Sequence, residues 1–116
     1  MTEQSCLFCR IVNKEIPAKI VFEDPRILAF EDVNPQAPVH ILIIPKKHIA
    51  KVSDLTEHDA ETVSQLVLAA KKIANERGIR DSGYRLVMNC NKDAGQAVFH
   101  LHLHLLGGRK FTWPPG

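Results

Sequence analysis

The 116-residue sequence has no long hydrophobic run and no large excess of charge of one sign. A membrane-spanning helix needs about 20 consecutive apolar residues, which no stretch approaches, so we expect no contact with a membrane. The formal net charge is +2, from 15 basic and 13 acidic residues. This charge does not support nucleic-acid binding, which usually requires a strongly basic surface.

Cysteine is also scarce, with three residues in the chain. Three thiols cannot form a disulfide framework, and the first residues lack the basic start and apolar stretch of a signal peptide. We therefore expect a cytoplasmic protein whose cysteines are thiols or metal ligands. The length, without repeats or linkers, predicts a single domain over residues 1–116.

Histidine alternates with leucine near the C-terminal end, at His100, His102 and His104. This period of two predicts a β-strand with the imidazoles on one face. Neighbouring imidazoles would start roughly 6–7 Å apart, which argues against one metal ion bound by all three. Neutral imidazoles suit nucleophilic group transfer, although a solvated sheet face is the alternative interpretation.

The remaining pattern predicts a mixture of strands and helices. Apolar residues recur at intervals of three and four from Val63 through Val67 to Ala74, which predicts a long helix that opens at Thr56 and Asp59 and ends at Gly78. His40 interrupts an apolar strand and is either a core residue or part of a site. The other predicted elements are a short helix at 7–13 and strands at 18–23, 27–31, 39–44, 84–89 and 98–106.

The histidine pattern, preceded by Gly95-Gln96 and followed by Gly107-Gly108-Arg109, resembles the signature of the histidine triad superfamily. Further segments resemble its nucleotide-binding branch over nearly the whole chain: residues 15–18, 22–24, 35–38, 45–48 and 113–116. The resemblance implies an α+β fold with an antiparallel sheet of about five strands, one long helix and one short N-terminal helix. The order of the predicted elements agrees with that fold.

The resemblance also implies an activity, the hydrolysis of purine nucleoside phosphoramidates and aminoacyl-AMP. His102 would be the nucleophile and form a nucleotidyl-histidine intermediate, with its second ring nitrogen bonded to an acceptor such as a backbone carbonyl. His104 would stabilise charge on the phosphate, while His40 and His100 would orient the site and relay protons. No cofactor would be needed for this chemistry.

The resemblance further implies a nucleotide site. Asp32 would hold the ribose hydroxyls, Asn89 would approach the phosphate, and Gly95 and Gln96 would present backbone N–H groups to it. Ala97 stands where the best-known eukaryotic members carry a serine, so one side-chain hydrogen bond is lost there. The apolar slot for the base would consist of Leu7, Phe8, Ile11, Phe30 and Val33.

Cys6 and Cys9 form a Cys-x-x-Cys pair, which is half of a common zinc site. By resemblance to other branches of the superfamily, His48 and His100 would complete a structural zinc site. Two buried thiols without a metal are the alternative.

The C-terminal Trp113-Pro114-Pro115-Gly116 resembles the segment that, in the nucleotide-binding branch, reaches toward the active site of a two-fold-related copy. It implies a homodimer in which Trp113 helps to select the leaving group. Two other functions stay open: a dinucleoside polyphosphate hydrolase, and a nucleotide-binding adaptor with vestigial catalysis.

Overall fold

The computed structural model of the chain describes residues 5–116. Within them lie two α-helices and five β-strands, and short 3-10 turns precede α2 and follow β4. The elements in chain order are α1 (Leu7–Val12), β1 (Ile20–Glu23), β2 (Ile27–Glu31), β3 (Val39–Pro45), α2 (Ala60–Glu76), β4 (Tyr84–Val87) and β5 (Leu103–Gly107).

The five strands form one sheet in the order β1-β2-β3-β5-β4, and every neighbouring pair is antiparallel. The turn between β1 and β2 is stabilised by Asp24, whose carboxylate accepts hydrogen bonds from the N–H groups of Arg26 and Ile27, each at 2.8 Å. The predicted α+β fold with a five-stranded antiparallel sheet, one long helix and one short helix is therefore confirmed.

The centre of the sheet is covered on both faces. Ile41 and Ile43 of β3 pack with Ile73 of α2, while Leu42 and Ile44 of the same strand belong to the cluster around α1. A strand buried on both sides needs apolar residues at every position rather than alternating ones. This explains the unbroken Ile-Leu-Ile-Ile run, and it places His40 on the α1 side.

Helix α2 begins and ends at the predicted signals. Thr56 and Asp59 form a capping box around a 3-10 turn that leads into the helix, and Gly78 follows the helix with a φ of +71°. The buried face is shifted from the predicted one, because Val67 is 43% exposed and Ala69 is buried instead. No helix within residues 5–116 is long and apolar enough to cross a membrane.

The predicted strand over residues 98–106 is wrong in its first half. The ladder between β3 and β5 runs from Val39 opposite Gly107 to Ile43 opposite Leu103, and residues 98–102 lie outside it. Beyond that point the N–H of Leu101 bonds to the carbonyl of Ile49, at 2.6 Å, in the segment after β3. Leu101 nevertheless joins the same core as Leu103, so the alternation of faces continues past the ladder.

Candidate active site

Two neighbouring strands bring His40 and His104 together. His40 lies near the start of β3 and His104 lies on β5, and Nε2 of His40 is 2.9 Å from Nδ1 of His104. The ring of His102 lies next along the chain, with its centroid 5.0 Å from that of His104. Three imidazoles therefore form a row on the α1 side of the sheet.

A backbone contact determines which ring nitrogen of His40 carries a proton. The N–H of Gln36 donates to Nδ1 of His40 at 3.0 Å, so the proton of the neutral ring is on Nε2. His40 then donates this proton to Nδ1 of His104, and the Nε2–H of His104 remains available to a substrate. The carboxylate of Asp32, 3.5 Å from Nε2 of His40, favours the same arrangement.

The opposite tautomer is imposed on His102. Its Nδ1 lies 2.7 Å from the backbone carbonyl of His100, which can only accept, so His102 carries its proton on Nδ1. The lone pair on Nε2 is then available as a nucleophile. The ring of Phe8 packs edge-on against that of His102, with centroids 5.2 Å apart, and restricts its rotation.

Burial keeps these imidazoles neutral. Desolvation lowers the pKa of His104 to about 4, and neighbouring His102 and His40 add to the effect. Desolvation also lowers the pKa of His102, against the bond to the carbonyl of His100, and the pKa of His40, against the charge of Asp32. At neutral pH one ring therefore has an available lone pair beside another with an available N–H.

The side chain of His100 points away from this row. Its Nε2 donates to the carbonyl of Pro45 at 2.7 Å, and its Nδ1 lies among Cys6, Cys9 and His48. Both ring nitrogens are thus engaged elsewhere. The expected proton relay through His100 is wrong for its ring, and its backbone carbonyl orients the ring of His102 instead.

The four predicted metal ligands converge on one point. Nδ1 of His100 is 3.3 Å from Sγ of Cys6 and 3.4 Å from Sγ of Cys9, and Nδ1 of His48 is 3.2 Å from Sγ of Cys9 and 3.3 Å from Nδ1 of His100. Tetrahedral zinc with Zn–N bonds of about 2.0–2.1 Å and Zn–S bonds of about 2.3 Å holds its donors roughly 3.3–3.8 Å apart. The donor set and its spacing fit that ion.

A second group of ligating side chains, Asp32, His40 and His104, is equally compact. The N–H of Gln36 occupies Nδ1 of His40, so Nε2 of that ring keeps its proton and has no lone pair for a metal. The two clusters are therefore chemically different: the first suits a metal ion, and the second suits hydrogen bonding.

The loop before His100 differs from the prediction in detail. The N–H groups of Gly95 and Gln96 donate to the carbonyls of Lys92 and Asn91. They are therefore not available to an anion, contrary to the prediction. The amide of Gln96 is buried and bonds to Asn91, Ala50 and Val98. Gly95 supplies a left-handed turn, with a φ of +82°, rather than a close approach to phosphate.

The five residues predicted to form the apolar slot for the base fall into two groups. Phe8, Ile11 and Phe30 are buried together in the α1 cluster, whereas Leu7 is 45% and Val33 is 99% exposed. Asp32 is half-buried, and its other carboxylate oxygen accepts the N–H of Asn34 at 2.8 Å. Three further residues are the half-buried Asn89, two residues after β4, the exposed Ala97, and Trp113, which is 82% exposed.

Sequence reasoning missed two groups that complete the site: the backbone N–H of Gln36 and the carbonyl of Pro45. Both are main-chain atoms, so the identity of the side chain gave no signal for either.

Comparison with known proteins agrees with this geometry. The family model described as the HIT domain matches residues 13–111. The chain belongs to the HIT domain family. An uncharacterized HIT-like protein of Synechocystis is 53% identical over 113 residues, which cover 97% of this chain and 98% of the relative.

Solved structures show the same relationship. A HIT family hydrolase of Legionella pneumophila superposes with a TM-score of 0.95 at 57% identity, covering 97% of this chain and all of that one. A histidine triad nucleotide-binding protein of Candida albicans has a TM-score of 0.81 at 31% identity, covering 97% and 85% of the two chains. The protein is thus of the HIT family hydrolase type.

The lowered pKa of His104 predicts a pH-dependent stability. Its pKa is about 4 when folded and 6.5 when unperturbed, so between these values the unfolded chain binds more protons. The free energy of unfolding should therefore fall as the pH falls through this window. His104→Asn should show a shallower dependence between about pH 7 and pH 5 in urea titrations.

The matched control is His58→Asn, since His58 is exposed and both variants keep the Cys6, Cys9, His48 and His100 cluster. It should retain the slope of the wild type. If the free energy of unfolding of the wild type and of His104→Asn depends on pH with the same slope, the lowered pKa of His104 is contradicted.

Proposed function

We propose that the protein hydrolyses purine nucleoside phosphoramidates, such as adenosine phosphoramidate, and also aminoacyl-AMP, through a nucleotide covalently bound to His102. The observation that carries this proposal is the pairing of opposite tautomers. His102 has an available Nε2 lone pair, and the adjacent His104 has an available Nε2–H. The nucleotide-binding name of the Candida albicans structure and the hydrolase name of the Legionella structure support it.

In the first step, Nε2 of His102 forms a bond to phosphorus while the bond from phosphorus to the leaving nitrogen breaks. The leaving nitrogen keeps the electron pair of that bond, accepts a hydrogen bond from the Nε2–H of His104 and takes one proton from solvent. The ring of His102 becomes positively charged as it reacts. The carbonyl of His100, 2.7 Å from Nδ1, stabilises this charge.

In the second step, a water oxygen bonds to phosphorus and the bond from phosphorus to His102 breaks, which returns the electron pair to Nε2. The proton that water loses returns to solvent, and the ring of His104 stays neutral throughout. The products are the free amine and the nucleoside monophosphate, and the protein returns to its starting state. The histidines perform both steps without a cofactor.

The nucleoside would lie against α1 and the residues that follow β2. Asp32 would accept the ribose hydroxyls, and the exposed Leu7 and Val33 would flank the purine above Phe8, Ile11 and Phe30. The N–H groups of Ala97 and Val98 have no hydrogen-bond partner within residues 5–116, so they can bind the phosphate in place of the expected Gly95 and Gln96. Asn89 would contact the phosphate from the end of β4.

The covalent intermediate is directly testable. Mixing the protein with an adenosine phosphoramidate of a fluorescent amine, and quenching within milliseconds, should give a peptide adenylated on His102. His102→Ala should give no adduct and lose activity by several orders of magnitude, because no other side chain within residues 5–116 offers an unprotonated Nε2 beside the Nε2–H of His104.

His58→Ala, a change at an exposed histidine, is the control and should form the adduct normally. If the wild type binds AMP but shows neither turnover nor an adduct, the proposed hydrolase activity is contradicted and the function of a nucleotide-binding adaptor is favoured. If the wild type cleaves a dinucleoside polyphosphate faster than the phosphoramidate, the function of a dinucleoside polyphosphate hydrolase is favoured.

We also propose that Cys6, Cys9, His48 and His100 hold a structural zinc ion. The spacing of their donor atoms supports this, and so does the bond from Nε2 of His100 to Pro45, which leaves Nδ1 unprotonated toward the cluster. The ion would join α1 to the sheet and supply no chemistry to the reaction. A cytoplasmic location is consistent with it, because thiols stay reduced there.

Metal analysis of protein purified without chelator should find about one zinc per chain. His48→Ala should reduce this content and lower the thermal stability, because one of four ligands is lost and α1 loses its attachment. Cys90→Ala, which changes the cysteine outside the cluster, should keep the metal. Less than roughly a tenth of an equivalent in the wild type would exclude the site.

We further propose a homodimer formed across the β4 edge of the sheet. β4 is an unpaired edge in the strand order, and exposed Leu68, Val67 and Leu86 lie on α2 and on this strand. The side chain of Arg85 donates to the carbonyl of Thr112 at 3.0 Å, which attaches the C-terminal segment to the same edge. Trp113 would extend from there toward the site of the second copy and help to select the leaving group.

Sedimentation at micromolar concentration should give twice the chain mass of 13.0 kDa. Leu68→Glu should yield monomers, because it places a charge in the apolar contact. Ile20→Glu, on the opposite edge strand and 42% exposed, is the matched control and should remain dimeric. A wild-type mass of one chain would contradict the proposal.

A further inference from the structure

Arg109 connects the C-terminal segment to the loop that precedes β3. Its Nε–H donates to the carbonyl of Gln36 at 2.9 Å, and a terminal nitrogen donates to the carbonyl of Lys110 at 3.2 Å. Its guanidinium lies 4.3 Å from the centroid of the Phe111 ring. The exposed side chain is therefore held in one orientation by three separate contacts.

Gln36, which accepts the hydrogen bond from Arg109, also sets the tautomer of His40. The carbonyl of Gln36 accepts from Arg109, and the N–H of the same residue donates to Nδ1 of His40 at 3.0 Å. Residues 34–36 are exposed, and the other bonds of Gln36 and Asn34 stay within the loop. Arg109 is thus the side chain outside the loop that orients Gln36, among the residues that the structure describes.

The backbone beside Arg109 packs against the same loop. A Cβ added at Gly108, which has a φ of +87°, would lie 2.9 Å from Cβ of Pro38. The end of β5 and the loop therefore meet closely at residues 108 and 38, and Arg109 extends this contact to Gln36.

We propose that Arg109 is a positioning residue for the reaction, acting through Gln36 and His40 on His104. By holding the N–H of Gln36 against Nδ1 of His40, it keeps the proton of His40 on Nε2. His104 consequently accepts at Nδ1 and presents Nε2–H to the leaving group. This inference rests on the proposed function only in the last step, the use of that N–H by His104.

Arginine suits this position better than lysine. A planar guanidinium can stack on Phe111 and still direct Nε–H to a carbonyl, whereas an ammonium on a flexible chain does neither in a fixed direction. Arg85 lies against the same ring, 5.1 Å from its centroid, but its hydrogen bond goes to Thr112 rather than to the loop. The chain therefore contains a matched control for the effect of Arg109.

The first test measures tautomers and does not depend on turnover. In long-range ¹H–¹⁵N spectra of the full chain, His40 of the wild type should be protonated on Nε2 alone. Arg109→Met should give a mixture of both tautomers, and Arg85→Met should give the wild-type spectrum. An unchanged His40 in Arg109→Met would overturn the inference, whatever the substrate of the enzyme.

The second test compares leaving groups. Adenosine phosphoramidates of an alkylamine and of a nitroaniline differ in how much their leaving nitrogen depends on the hydrogen bond from Nε2–H of His104. Arg109→Met should lower kcat for the alkylamine by roughly fivefold and for the nitroaniline by less than twofold, with KM little changed, as expected for weakening one hydrogen bond. Arg26→Met, which changes an arginine paired with Glu61 and outside the proposed site, should leave the ratio between the two substrates unchanged.

Equal losses on both substrates would identify a merely structural role for Arg109 and overturn the inference. A wild type that cleaves neither substrate would instead refute the proposed function, and the tautomer of His40 would then decide the role of Arg109 alone.

Discussion

The hydrogen bond from Nδ1 of His102 to the carbonyl of His100 is the constraint on which the rest of the site depends. In water, neutral imidazole interchanges its two tautomers, and a nucleophile needs the lone pair on a chosen nitrogen. At 2.7 Å the carbonyl, which can only accept, makes that choice for His102. The lone pair then belongs to Nε2, beside His104. The carbonyl of His100 is available for this bond because residues 100–102 lie outside the ladder between β3 and β5.

His100 lies in the segment that precedes this ladder. Its ring is fully buried, donates to Pro45 at the end of β3, and directs Nδ1 to Cys6, Cys9 and His48. The carbonyl of this residue orients the ring of His102, and its own ring joins the Cys6, Cys9 and His48 cluster beside α1. Phe8 of α1 in turn contacts the rings of both His100 and His102. His100 therefore connects the position of α1 to the orientation of His102.

The sequence predicts the fold well because burial leaves periodic patterns. The alternation of leucine with histidine correctly separated the two faces, even where the strand itself is absent. The Cys-x-x-Cys spacing indicated two ligands, and the family resemblance added His48 and His100, which do converge with them. Main-chain hydrogen bonds leave no such pattern. The N–H of Gln36 and the engaged N–H groups of Gly95 and Gln96 depend on loop geometry, which composition does not encode.

A single spectrum tests the central claim most directly. Long-range ¹H–¹⁵N correlation on the uniformly labelled wild-type protein near neutral pH reports which nitrogen of each imidazole carries the proton. We expect His102 to be neutral and protonated on Nδ1, the less common tautomer in water. A His102 protonated on Nε2, or charged at neutral pH, would contradict it, because the nucleophilic lone pair would then be absent.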